Sequence, residues 1–226
     1  MRLQLPQQID RKQWMIRLGI NGEMPEGLEE QLEQAERKLL QIAVPQGVFR
    51  EVGLEDFFFS DEGAAGNEWL ELPGNNIKKH LEGCKHVVIM AATLGAGIDR
   101  LIRQSQVKDM AEAVLLDSGA SILAEQVADE LELQIKNTFT LYMTPRYSPG
   151  YGDFPIEMQG VLVKALDAYK TTGLTASENH ILIPRKSITA ILGMADHPVT
   201  GNLATCDECV LKENCRLLME GKPCWK

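Results

Sequence analysis

The densest group of chemistry-bearing side chains lies at Thr144–Pro155, TPRYSPGYGDFP. Arg146 offers a planar fork of N–H donors shaped for a carboxylate. Gly150 and Gly152 permit backbone conformations that other residues resist, so main-chain N–H and C=O groups can face a ligand directly. Tyr147 and Tyr151 add flat faces and hydroxyls. A zwitterionic amino acid joined to an aromatic base would suit such a loop. A rigid Pro/Gly connector whose arginine caps a helix would use the same residues, and spacing alone leaves both readings open. Upstream, Ser118, Ser121 and Glu125 follow one another at spacings of 3 and 4, which puts them on one side of a helix. Small side chains there let a group approach the backbone, and Glu125 would then project beside a cleft. Periodicity by itself favours the plainer alternative, a solvated glutamate on a long surface helix.

The second concentration is Cys206-x2-Cys209-x5-Cys215-x8-Cys224. Four thiols at these positions could hold zinc tetrahedrally or carry an iron–sulfur cluster. The longer spacings match no standard zinc ribbon, and a tail of free thiols is the alternative. Cys84 stands apart and reads as a small buried hydrophobe. His80, His86, His180 and His197 show no ligand spacing, and His197 before Pro198 reads as a turn residue.

These groups need elements to position them. Leu28, Leu32, Ala35, Leu39 and Ile42 recur at spacings of 4, 3, 4 and 3, so a core-facing amphipathic helix is expected over Glu26–Ala43. Phe57-Phe58-Phe59 is expected to anchor an irregular 50–75 segment, and Asn76–Gly83 to form a short helix. His86–Thr93 reads as a strand, with Gly95-Ala96-Gly97 turning into a helix at Ile98–Gln104. That order invites a dinucleotide-binding reading, but Arg100 stands where the third glycine is needed and the fingerprint fails. Asp109–Asn137 is the longest helical stretch, with Leu116, Ala120, Leu123, Val127 and Leu131 as its apolar stripe. After the Pro/Gly loop, one helix is expected over Ile156–Thr172. Met158, Leu162, Ala165, Leu166 and Tyr169 face inward, Asp153 and Glu157 lie near the start, and Gly173 caps the end. Ile181–Ile183 and Ile188–Leu192 read as strands.

The chain has 226 residues, enough to bury a core without a metal or disulfide. With 23 Lys+Arg against 32 Asp+Glu, its net charge of −9 argues against non-specific nucleic-acid binding and against docking on anionic lipid. No apolar run resembles a signal peptide or a membrane span. A cytoplasmic protein is expected, with its cysteines as thiols or metal ligands.

Arg146–Pro155, RYSPGYGDFP, resembles the Arg-x-x-Pro-Gly-Tyr loop of the activation (reactivation) domain of cobalamin-dependent methionine synthase. The order of the surroundings is similar too. Ala92-Thr93-Leu94-Gly95 comes first, then Leu123-Ala124-Glu125 in a long helix. After the loop come Gly173-Leu174-Thr175, Pro184-Arg185-Lys186-Ser187-Ile188-Thr189-Ala190-Ile191-Leu192-Gly193 and His197-Pro198. The resemblance spans about residues 85–200. It implies an α+β fold, a twisted and mainly antiparallel sheet with surrounding helices. Residues 1–84 would be an N-terminal helical and irregular part of the same domain, 85–203 its core, and 204–226 a Cys-rich tail.

The resemblance also implies S-adenosylmethionine as ligand. Arg146 would hold the methionine carboxylate, and the backbone around Ser148 and Gly150 would meet the ligand. Tyr151 matches the loop tyrosine, and Glu125 the glutamate near the ligand's positive end. One Arg and a Glu would balance a ligand that carries a carboxylate, an ammonium and a sulfonium. No catalytic acid or base is needed, because placement of the methyl group is the contribution. The implied role is a stand-alone reactivation module that supports reductive methylation of a Co(II) corrinoid, within a methyltransferase and methionine-biosynthesis system. The chain has no corrinoid-binding Asp-x-His-x-x-Gly motif, so the corrinoid would come from a partner. That partner would be a corrinoid protein or a methionine synthase lacking its own activation domain, and a flavodoxin-like protein would donate the electron. Two other readings stand beside this one. Val199-Thr200-Gly201-Asn202-Leu203 lacks the paired tyrosines that follow the family's His-Pro, which suits a non-catalytic corrinoid-protein chaperone. A metal or redox protein working through the Cys tail is the third.

Overall fold

The computed structural model describes residues 1–20, 22, 24–54, 57–58, 70–201 and 213. Its elements in chain order are α1 (Arg11–Arg17), α2 (Leu28–Ile42), β1 (Gln46–Gly53), β2 (Phe57–Phe58), β3 (Leu70–Glu71), α3 (Asn75–His80) and β4 (His86–Thr93). Then follow α4 (Ala96–Lys108), α5 (Met110–Thr138), β5 (Tyr142–Met143), α6 (Met158–Ala165), α7 (Ala168–Thr172), β6 (Thr175–Ala176), β7 (Leu182–Ile183) and β8 (Ser187–Ala195). The main sheet runs β1-β4-β8-β5, and every neighbouring pair in it is antiparallel. This is the expected α+β architecture with a mainly antiparallel sheet.

Both faces of the sheet are covered, which explains why the central strand β4 reads as one apolar run rather than an alternation. Successive side chains still point to opposite faces. Val88, Met90 and Ala92 join Leu116, Leu123, Val127 and Leu131 of α5 and Leu32, Ala35 and Leu39 of α2 in one core. Val87, Ile89 and Ala91 enter the other core with Ile77 of α3, Leu162 of α6 and Ala168 of α7. The antiparallel pairing also disposes of the dinucleotide reading, since that fold needs a parallel strand pair.

The small residues of α5 admit a neighbour, but that neighbour is Trp14. Its ring seats so closely over Gly119 that a Cβ there would lie 2.3 Å from Cζ2, and its indole N–H donates to Ser118 at 2.9 Å. Helix α5 begins at Asp109, whose carboxylate accepts the Ala111 and Glu112 N–H groups, an N-cap of the usual kind. Cys84 is buried as expected, and burial raises its thiol pKa.

Three expectations need correction. The single helix over Ile156–Thr172 is two helices, α6 and α7, broken where Asp167 takes φ 47°. The break lets Leu166 and Ala168 both reach the core, and Tyr169 is turned outward, 71% exposed. Asp153 does not serve α6. Its carboxylate accepts the Asn75 and Asn76 N–H groups at 2.7 and 2.9 Å and so caps α3. Strand β1 was not expected at all. The side chains of Phe57 and Phe58, and Phe59 altogether, lie outside the described residues, as do Cys206, Cys209, Cys215 and Cys224.

Candidate functional site

The Pro/Gly loop continues the sheet along the open side of β8 for a short distance. After β5, the Thr144 N–H donates to the Gly193 carbonyl at 2.9 Å, and Tyr147 and Ile191 exchange both main-chain bonds at 2.9 Å. Helix α3 braces the loop from behind. Fully buried His80 contacts the Pro145 carbonyl and the Thr144 hydroxyl at 3.0 and 2.9 Å, and its ring lies 4.8 Å from that of Tyr147. Beyond Tyr147 the loop turns away. Gly150 and Gly152 sit at φ 92° and 54°, in the left-handed region that favours glycine. At Gly152 a Cβ would strike the Asn76 amide, 2.1 Å away. The Gly150 N–H donates to the Phe154 carbonyl at 2.8 Å, closing the turn over buried Phe154.

A cleft of about 440 Å³ opens where the loop leaves β8. Glu125, Arg146, Ser148 and Tyr151, four of the five ligand residues expected from the sequence, line it together. Gly150 shapes the turn beside it. Ser118 and Ser121 are spent elsewhere: Ser118 on Trp14, and Ser121 on Lys186 at 2.9 Å. Glu125 lines the cleft while keeping 56% of its side chain exposed, so it is both the residue beside a cleft and the solvated glutamate that the sequence offered.

Arg146 caps no helix. Its side chain is 19% exposed and pairs with three carboxylates of α5: Asp129 at 2.6 Å, Glu132 at 2.8 Å and Glu125 at 3.2 Å. Burial pushes the guanidinium pKa down, but the hydrogen bond to Asp129 and the charges of Asp129, Glu132 and Glu125 more than offset it, so the net shift is upward. Glu132 also accepts from Lys136 at 2.7 Å. The cluster therefore holds two cations and three anions, a local excess of one negative charge. Such a site suits a ligand with one carboxylate and more than one positive centre.

Asp129 and Glu132 were not singled out in the sequence, although their signal was there. Glu125, Asp129 and Glu132 lie at spacings of 4 and 3, one face of a helix. Gln159, Leu182, Ser187, Ile188 and Thr189 also line the cleft, and no spacing marked them. Among the described residues, no group of three or more His, Cys, Asp and Glu side chains is placed to hold a metal. No described helix is long and apolar enough to cross a membrane.

No family model matches the chain, and no curated protein matches it. It is similar to a solved structure, the MetH reactivation domain bound to AdoHcy. The TM-score is 0.57 and the identity 16%, over 96% of this chain and 82% of that one. The two proteins share a fold, the one that the Arg146–Pro155 loop and its surroundings implied.

Proposed function

We propose that the protein is a reactivation module that binds S-adenosylmethionine and presents its methyl group to a Co(II) corrinoid carried by a partner methyltransferase. The observation that carries this reading is Arg146, held by the β8-edge loop and facing Glu125 within one cleft. Arg146 would take the ligand carboxylate in bidentate fashion. Glu125, Asp129 and Glu132 would meet the ammonium and sulfonium, and Ser148 and Tyr151 would complete the lining. The similar reactivation domain is a structure with AdoHcy bound, which supports a ligand of this class here. The partner supplies the corrinoid, and a flavodoxin-like donor supplies the single electron that reductive methylation consumes. This chain binds the donor and orients its methyl group; no proton transfer is required of it.

One observation favours a second reading. Three of the five Arg146 N–H groups are already taken by Asp129, Glu132 and Glu125, so a ligand carboxylate finds only the remaining two or must displace one of the three. A protein that had kept the fold as a corrinoid-protein chaperone would retain such a closed cluster. Calorimetric titration of the full chain with S-adenosylmethionine separates the two. Saturable 1:1 binding supports the module; no heat up to millimolar ligand leaves the chaperone. The four tail cysteines belong to a separate proposal, a zinc or iron–sulfur site, which elemental analysis of anaerobically purified protein tests.

A further inference from the structure

Three buried side-chain polar atoms have no hydrogen-bond partner among the described residues: Arg11 Nη1, Gln159 Oε1 and Thr189 Oγ1. Buried polar atoms are nearly always paired, so each exception asks for a reason. Arg11 is a guanidinium whose other nitrogens pair with Glu29 and Glu36. The other two have no such excuse, and both residues line the cleft of Arg146. Thr189 is 2% exposed.

The main chain of β8 points the same way. Because Ile191 exchanges both of its bonds with Tyr147, its N–H and C=O face away from β4. The two-residue period of an antiparallel strand puts the N–H and C=O of Thr189 on that same edge. The loop has turned off by then, and no described loop group pairs with them. Thr189 thus brings a hydroxyl, a main-chain donor and a main-chain acceptor to one stretch of edge, between the apolar walls of Leu182 and Ile188. A carbonyl that needs an N–H, a neighbouring hydroxyl and apolar sides fit the rim of a flat amino-heterocycle. A glutamine amide is a standard partner for the amino edge of adenine.

We infer that Gln159 and Thr189 form a base-reading subsite of this cleft: the Gln159 carbonyl accepts an N–H from the exocyclic amine of an adenine-type ring, and the Thr189 hydroxyl donates to a ring nitrogen. The inference rests on the proposed function, which puts an adenosyl ligand in the cleft. In the unliganded protein the Gln159 carbonyl is sealed from water. Its terminal amide turns about a soft torsion to meet the base, so binding satisfies an acceptor that folding leaves unpaired.

The test is calorimetry on the full chain with two probes: S-adenosylhomocysteine, and its counterpart with the 6-amino group replaced by hydrogen. The wild type should prefer the amino compound by about tenfold, the scale of one buried hydrogen bond. Gln159→Leu should bring the two affinities to within about twofold of each other by removing that bond. Thr189→Val, which keeps the side chain's shape, should weaken both probes to a similar degree. Gln159→Met serves as a second variant if the leucine disturbs the circular dichroism spectrum. A wild type that binds both probes equally overturns the subsite alone, as does a preference that survives both glutamine substitutions. A wild type that binds neither S-adenosylhomocysteine nor S-adenosylmethionine overturns the proposed function and the subsite with it.

Discussion

Arg146 is a cation whose neighbours are all on one helix, and that arrangement separates its part in binding from its part in folding. Asp129 and Glu125 are more than half exposed, and Glu132 keeps Lys136 when the arginine is gone. On the proposed reading, Arg146→Ala should weaken S-adenosylmethionine binding by about 1.5–3 kcal/mol, the worth of a hydrogen bond to a charged group. The midpoint of chemical denaturation should move little, because the carboxylates left behind stay hydrated or paired. Titration and denaturation of the same sample decide it: full affinity in the variant removes Arg146 from the ligand, and a collapse in stability recasts it as structural. Its aromatic and hydroxyl neighbours show where reading residues in order reached its limit. The loop's composition announced rigidity and left a ligand loop and a plain connector equally open, and Glu125, Asp129 and Glu132 carried a helical spacing. Nothing local set Gln159 apart, or Thr189 from its neighbours in the Pro184–Gly193 stretch, because being unpaired is a property of the whole surroundings.

At the scale of elements, the helices with strong periodicity and the central strand were legible. Helix α2 lies within its predicted bounds, and β4 occupies His86–Thr93 as read. Strand β1 escaped because Gln46–Gly53 carries glycine at two positions and charge at two more, and its burial does not alternate cleanly. The α6–α7 break escaped because Leu166, Asp167 and Ala168 have no local reason to leave a helix; packing on both sides of Asp167 overrides propensity. The join between α1 and α5 makes a sharper prediction. Adding one methyl at Gly119 drives a Cβ into the Trp14 ring, and a fully buried indole has nowhere to retreat. Gly119→Ala should destabilise the fold by about 1–3 kcal/mol in urea, although alanine is the better helix former. A neutral or stabilising result would mean that α1 moves aside freely.

Helices α2, α4 and α5 meet at Glu112, which accepts from Lys38 of α2 and from Ser105 of α4. Its pKa is lowered, first by the hydrogen bond from Lys38, against desolvation, and then by Ser105 and the Lys38 charge. A carboxyl whose folded pKa lies below its unfolded value adds stability above the unfolded pKa, near 4.3, and that stability is lost as pH falls through the folded value. Glu112→Gln should therefore cost little at pH 7, about 0.5 kcal/mol or less for so solvated a pair. It should also flatten the loss of stability on acidification below about pH 4. Denaturation midpoints at a series of pH values would show the two curves converging in acid; parallel curves would exclude the Lys38 pairing as their cause.

For the molecule as a whole, the proposed function makes activity a property of a complex. Conversion of a Co(II) corrinoid protein to its methyl-Co(III) spectrum should require this chain, S-adenosylmethionine and a low-potential donor together. Docking should be transient, with micromolar affinity on the order of −8 kcal/mol. Glu125→Gln should slow the conversion more than it weakens docking, since Glu125 faces the ligand cleft. A corrinoid partner that docks equally well but is never methylated would move the protein to the chaperone reading.

The short reach of β5 has a consequence in a different domain, that of colloidal behaviour. An uncovered strand edge is a template on which another chain can zip. Here β5 and the loop pair with β8 only as far as Ile191, yet the next residue on that edge, Thr189, is only 2% exposed and sits inside the cleft, too deep for a neighbouring strand to reach. Pro145 and Pro149, flanking the last paired residues, have no N–H to lend to such a zipper, so burial and proline together guard the end of the sheet. Light scattering of concentrated protein should accordingly stay low with the cleft empty; a rise with concentration would show that a second chain does reach this edge.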